Sequence, residues 1–179
     1  MDRRETFSPA IPYKQGMTAP ALDRRALIGG ALLLTGAAAI GLAARGDAKD
    51  NFPLQLTDAQ WRARLGSARF HILREEGTER PYSSPLLTEK RRGTYHCAGC
   101  AQPLFASSTK FDSRTGWPSF YAALPGRVGY RRDLSLGMIR TEEHCTRCGG
   151  HLGHVFDDGP KPTGKRHCIN GLSLAFRPA

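Results

Sequence analysis

Acidic side chains are scarce in this chain: 16 Asp and Glu stand against 26 Lys and Arg, a net charge of +10 over 179 residues. A surplus of that sign raises nucleic acid as a partner. The basic residues are scattered, however, and the only dense run is Lys90-Arg91-Arg92. A solvated basic surface accounts for them, and no nucleic-acid partner is implied. Helical periodicity is also missing: no amphipathic run of about 12 residues follows residue 90, which excludes a helix bundle there. No internal repeat exists beyond two Cys-x-x-Cys turns, so a solenoid is excluded as well. Cysteine is sparse, at five residues, but it is the most informative part of the chain.

The five cysteines fall into two tight pairs and a remainder. Cys97 and Cys100 bracket Ala-Gly, Cys145 and Cys148 bracket Thr-Arg, and Cys168 stands alone after Arg166-His167. Each pair turns tightly enough to aim two thiolates at one point, and two such turns complete a tetrahedral zinc site. The alternative is two disulfides in an oxidising compartment. The order of the pairs and the glycines after Cys148 favour a structural Zn2+. Cys168 is then the free thiol, in basic surroundings that favour its thiolate, which is the setting of a sulfur nucleophile rather than of a buried apolar residue.

Residues 1–48 differ from the rest. A long polar stretch leads to Asp23-Arg24-Arg25, then to the uncharged, mildly apolar run Ala26–Ala44 and the small residues of Gly46-Asp47-Ala48. That is the pattern of a twin-arginine export signal, with Asp23 standing where Ser or Thr is usual. An uncleaved anchor is the competing reading, since about 19 residues at about 1.5 Å each just span a bilayer core. Either way the arginines stay cytoplasmic and the following domain, residues 49–179, is expected in the periplasm or on the periplasmic face of the inner membrane. Contact with the membrane is expected only through this segment.

Within the domain, Thr57-Asp58-Ala59-Gln60 is a capping box, and the stop at Gly66 predicts a short helix over Asp58–Leu65. Thr78–Leu87, with Pro81 and Pro85, reads as an extended surface loop. Short apolar runs follow at Gly93–His96, Pro103–Phe105, Val128–Tyr130, Gly137–Arg140 and Leu172–Phe176, divided by Gly, Pro, Asp and Ser clusters. The predicted fold is mainly β: a compact antiparallel β domain with a short N-terminal helix and a four-cysteine zinc site.

Four segments now stand in one order: Gly93-Thr94-Tyr95-His96-Cys97-Ala98-Gly99-Cys100, then Lys110 to Phe120 containing Gly116-Trp117-Pro118-Ser119-Phe120, then His151-Leu152-Gly153-His154-Val155-Phe156-Asp157-Asp158-Gly159-Pro160, then Arg166-His167-Cys168-Ile169-Asn170. Together they resemble the B-type methionine sulfoxide reductases, over about Leu56 to Phe176. The resemblance implies reduction of the R epimer of methionine sulfoxide in proteins. It implies Cys168 as the thiolate that attacks the sulfoxide and becomes a sulfenic acid. His154 and His151 would donate protons to the departing oxygen. Arg166 would favour the thiolate or position its loop, Asp158 would orient a histidine or hold a water, and Asn170 would supply a hydrogen bond near Cys168. Trp117 would hold the substrate methyl group and Phe120 would extend that apolar surface. Each has a plain structural alternative: ring hydrogen bonding for the histidines, a turn at Asp158, loop bracing by Asn170, and ordinary core for Trp117 and above all Phe120.

The chain departs from the family where many members carry a resolving cysteine. That position is Thr115, with Arg114 where glycine is common and His167 where an aromatic residue is common. A one-cysteine enzyme is expected, its sulfenic acid reduced by an external, thioredoxin-like thiol. Two other function classes remain: a zinc-ribbon binding module using its basic surface, and a thiol–disulfide oxidoreductase using one Cys-x-x-Cys pair.

Overall fold

A computed structural model describes residues 51–179. The twin-arginine motif, the apolar run after it and the boundary at residue 48 lie outside the described residues. Among the described residues no helix is long and apolar enough to cross a membrane.

The domain opens with helix α1 (Asp58–Glu75). Its start is set by the capping box: the Gln60 N–H donates to Thr57 Oγ1 at 3.3 Å and the Thr57 N–H donates to Gln60 Oε1 at 2.9 Å. Gly66 leaves the helical region at φ 69°, ψ 170°, so the expected stop is real. A second helical segment follows directly to Glu75, where the sequence reading ended the helix at Leu65. Trp61 and Leu65 are buried before the break, and Phe70, Ile72 and Leu73 after it. The two segments thus share a core side despite the kink.

Nine strands follow: β1 (Gly93–Cys97), β2 (Pro103–Ala106), β3 (Lys110–Phe111), β4 (Ser119–Phe120), β5 (Val128–Asp133), β6 (Arg140–Cys145), β7 (His151–Phe156), β8 (Arg166–Ile169) and β9 (Leu174–Pro178). All pair antiparallel, in a three-stranded sheet ordered β2-β1-β9 and a six-stranded sheet ordered β3-β4-β8-β7-β6-β5. The mainly β expectation therefore holds. Two apolar runs are displaced from their strands. Gly137 ends a 3-10 turn and β6 begins only at Arg140, while Leu172 lies in the 3-10 turn Gly171–Ser173 that precedes β9. The expected surface loop 78–87 is anchored inward: Glu79 is buried, and its carboxylate accepts from the backbone N–H of Gly171 at 2.5 Å and of Leu172 at 3.0 Å.

The core fills the space between the sheets and α1, with Tyr95, Leu104, Phe105, Phe120, Leu152, Ile169 and Leu174 nearly or wholly inaccessible to solvent. Phe105 stacks on Phe120 at 4.4 Å, and Tyr95 meets Phe120 edge-on at 4.9 Å. This apolar burial is the main favourable term holding the two sheets together.

Candidate active site and metal centre

The two Cys-x-x-Cys turns meet. Cys97 Sγ lies 3.7 Å from Cys148 Sγ, and Cys100 Sγ lies 3.5 Å from Cys145 Sγ; all four sulfurs fall within 4.8 Å of one another and all four residues are buried. The turns are built alike. After each second cysteine the chain passes through a left-handed residue, Ala101 at φ 61° and Gly149 at φ 67°. The N–H of that residue donates back to the first cysteine's carbonyl at 2.8 Å in both turns. Gln102 Nε2 further contacts Cys145 Sγ at 3.5 Å. All five cysteines of the chain are free thiols. Four sulfurs gathered round one point could hold a metal ion, and this arrangement is not that of two separate disulfides.

The period of two along a strand divides the large sheet into two faces. Ser119, Cys168, His154 and Glu142 stand directly opposite one another on β4, β8, β7 and β6, so they share one face. Phe120, His167, Gly153 and Glu143 belong to the other, which is the core side. Gly153 permits this close spacing: its φ is 157°, and a Cβ there would sit 2.0 Å from the Cys168 carbonyl oxygen.

On the first face, Cys168 is half-buried and Thr115 Oγ1 lies 3.9 Å from its sulfur. Burial outweighs the basic surroundings and raises the Cys168 thiol above its ordinary value, although the Arg166 charge and the Thr115 contact pull it down. Arg166 is fixed by Asp158, which accepts from Nε and one terminal guanidinium nitrogen at 2.8 Å each, and it lies over the Phe156 ring at 4.4 Å. His154 Nε2 lies 2.7 Å from Asp133 Oδ2. Burial lowers the His154 pKa, and the Asp133 hydrogen bond opposes this. His151 Nδ1 lies 2.7 Å from Glu142 Oε1, and the His151 ring meets the His154 ring edge-on at 5.5 Å. Glu142 is further held by His144 at 3.2 Å and Arg131 at 2.9 Å.

The structure thus brings Cys168, His154, His151 and Arg166 together and redistributes other assignments. Asp158 orients Arg166, not a histidine; the carboxylates beside the histidines are Asp133 and Glu142, which the sequence reading missed. Asn170 is buried and braces loops: its Oδ1 accepts from the Glu79 N–H at 3.0 Å and its Nδ2 donates to the Leu152 carbonyl at 3.2 Å. Phe120 is fully buried in the core, on the sheet face opposite Cys168, so it extends no substrate surface. Its neighbour Ser119 occupies the site face instead. Trp117 is half-buried, its Nε1–H donating to the Glu79 carbonyl at 3.1 Å, and it lines a cleft of about 870 Å³ with Gly116, Pro118 and Tyr82. Arg114 adopts a left-handed φ of 58°, which explains why glycine suits that position. His167 faces the core, where its Nδ1 lies 2.5 Å from Glu143 Oε1.

Residues 65–178 match the SelR domain. The chain belongs to the SelR family. Its curated relatives include "Peptide methionine sulfoxide reductase MsrB" of Agrobacterium fabrum, 54% identical over 123 residues that cover 68% of this chain and 91% of that protein. The same-named protein of Thiobacillus denitrificans is 57% identical over 123 residues, covering 68% of this chain and 93% of its own length. "Peptide methionine sulfoxide reductase B1, chloroplastic" of Oryza sativa is 51% identical over 130 residues, 72% of this chain and 61% of that protein. Within the SelR match lie all four sulfurs of the cysteine cluster, Trp117, the histidine strand and Cys168.

Proposed function

We propose that this SelR-family protein is a peptide-methionine (R)-S-oxide reductase that returns oxidised methionine in proteins to methionine, with Cys168 as its nucleophile. The observation that carries the reading is the isolation of Cys168. It is the one thiol outside the buried four-sulfur cluster, and it stands opposite His154 on the neighbouring strand with Arg166 two residues away. The Cys168 thiolate attacks the sulfoxide sulfur, and a proton supplied from the histidine side neutralises the oxygen as the S–O bond changes hands. Methionine leaves, and Cys168 carries the oxygen as a sulfenic acid. His154 is the donor nearest the nucleophile's face. His151, almost wholly buried, supports it from behind with Glu142. Trp117 provides the apolar wall for the substrate methyl group. An external thioredoxin-like thiol then reduces the sulfenic acid, with water released.

The metal centre is a structural zinc site in this reading. Zinc–sulfur bonds of about 2.3 Å give a tetrahedron with edges of about 3.8 Å, and the sulfur pairs at 3.5 and 3.7 Å fit it. Cys97, Cys100, Cys145 and Cys148 would hold the ion, which would tie the ends of β1 and β6 together and leave no open position for chemistry. Residues 1–48 are proposed as a twin-arginine-type signal or anchor that delivers the domain to the periplasmic side.

The test is a single-turnover reaction of the reduced domain with separated R and S epimers of a methionine sulfoxide peptide, followed by peptide mass. Conversion of the R epimer alone, about one per protein without added reductant, is expected. No conversion of either epimer by metal-loaded protein would overturn the reading.

A further inference from the structure

Behind Cys168 runs an unbroken chain of side-chain hydroxyls. Thr115 Oγ1 lies 3.9 Å from Cys168 Sγ and 2.8 Å from Ser113 Oγ. Ser113 Oγ lies 2.7 Å from Ser119 Oγ, and the Ser119 hydroxyl donates to the Trp117 carbonyl at 3.1 Å. Ser119 is wholly buried, and Thr115 and Ser113 are half-buried. The chain starts at the nucleophile and ends on the backbone of the tryptophan proposed to hold the substrate methyl group.

With Cys168 as a thiol, four X–H groups serve four links, every one pointing toward the Trp117 carbonyl. Ionising Cys168 removes one proton and leaves three donors for four links. If the hydroxyls kept their direction, the thiolate would face an oxygen lone pair. If all three rotate, Thr115 donates to the thiolate, Ser113 to Thr115 and Ser119 to Ser113. The empty link then falls at the longest oxygen–oxygen contact, beside a neutral carbonyl. Rotation of hydroxyl protons requires no heavy-atom movement. A donor aimed at an ionised acceptor is also worth more than one between neutral groups.

We propose that Thr115 is the hydrogen-bond donor to the Cys168 thiolate, and that Ser113 and Ser119 are positioning residues that let it turn toward the sulfur. The proposal rests on Cys168 being the nucleophile and adds the device that supplies its donor. Thr115 occupies the position where the sequence reading found a resolving cysteine to be absent, so the oxygen there has a use of its own. Other groups also act on the sulfur. Arg166 on the same strand favours the thiolate, Glu143 from β6 opposes it, and His154 faces it from β7, held by Asp133 and near Arg140.

The experiment measures the rate of Cys168 alkylation by iodoacetamide against pH in the intact metal-loaded protein, with the modified residue identified by mass spectrometry. Thr115→Val keeps the shape and removes the donor. Its apparent pKa for Cys168 is expected to rise by about 0.5–1, a roughly three- to tenfold loss of thiolate at fixed pH below the pKa. Thr115→Ser is expected to restore the profile, and Ser113→Ala to give an intermediate shift. A Thr115→Val profile that overlays the unmodified one would overturn the proposal, as would a Thr115→Ser profile shifted as far as that of Thr115→Val. Turnover of methionine sulfoxide by Cys168→Ser is a separate readout. Its persistence would instead remove the nucleophile on which the proposal stands.

Discussion

Glu143 is wholly inaccessible and His167 nearly so, their contact is 2.5 Å, and Glu143 Oε2 has no hydrogen-bond partner. The pair lies on the core side of the sheet, and His167 also packs against the Phe105 ring at 5.7 Å. Removing one partner of a buried ion pair costs about 3–5 kcal/mol, because the other is left charged or must change its protonation. For a domain of this size that is roughly a 10–20 °C fall in Tm. His167→Phe and Glu143→Val should each show it, while the double variant should lie within about 1 kcal/mol of the starting protein, or above it. Burial already raises the Glu143 carboxyl above its ordinary value, and His167 opposes this. In His167→Phe that opposition is gone, so the folded pKa rises further. A raised carboxyl favours the fold below its unfolded pKa, and that contribution is lost as pH rises toward the folded value. His167→Phe should therefore be hurt more at pH 7 than at pH 5. Thermal melts at fixed free zinc, at both pH values, supply the double-mutant cycle. Single variants that each cost less than about 1 kcal/mol and add in the double would refute the reasoning.

Three further outcomes are expected. Arg114→Gly should stabilise the domain by about 0.5–1 kcal/mol, because a left-handed residue with a Cβ is relieved of its strain at some cost in chain entropy; a lower Tm would contradict this. Asp133→Asn should lower single-turnover reduction by roughly 10–100-fold. It replaces the carboxylate that holds the His154 pKa up against burial with a neutral acceptor, so any rate limb belonging to protonated His154 should move to lower pH; an unmoved limb would separate Asp133 from that histidine. Cys145→Ser should lose zinc, measured by elemental analysis, and soluble yield with it, whereas Cys168→Ser should stay folded and zinc-loaded without reducing substrate. Equal zinc content and stability in Cys145→Ser would remove the structural role of the cluster.

Much of the fold was legible where a local rule governs it. The capping box at Thr57 and Gln60, the break at Gly66 and the two cysteine turns depend on residues within a few positions of one another. The four strands that build the site face were harder to see. β6 carries Glu142, Glu143 and His144 in succession, all buried, and no rule of alternating polarity reads three adjacent polar residues as a core strand. A register shift between Glu143 and His144 disturbs the alternation further. Partners of the titratable groups were hidden for a related reason. His154 meets Asp133 21 positions away and His167 meets Glu143 24 positions away, separations fixed only by strand pairing. Proximity in sequence suggested Asp158 for a histidine, but that carboxylate is spent on Arg166. Phe120 takes its core alternative rather than the substrate surface, because in a strand each neighbour points to the opposite side.

Oxygen at Thr115 has a kinetic consequence beyond hydrogen bonding. A hydroxyl cannot close a disulfide, so an oxidised Cys168 gains no internal bond from the residue beside it. Under the proposed mechanism, the lifetime of the oxidised protein would be governed by collision with a reducing partner, and steady-state turnover should scale linearly with that partner's concentration well below saturation. During the wait, peroxide competes for the same sulfur and carries it to the sulfinic state, from which simple thiols do not return it. Starved of reductant under oxidant, such a protein would be spent one molecule at a time, and its surviving activity would record how well the compartment supplied electrons.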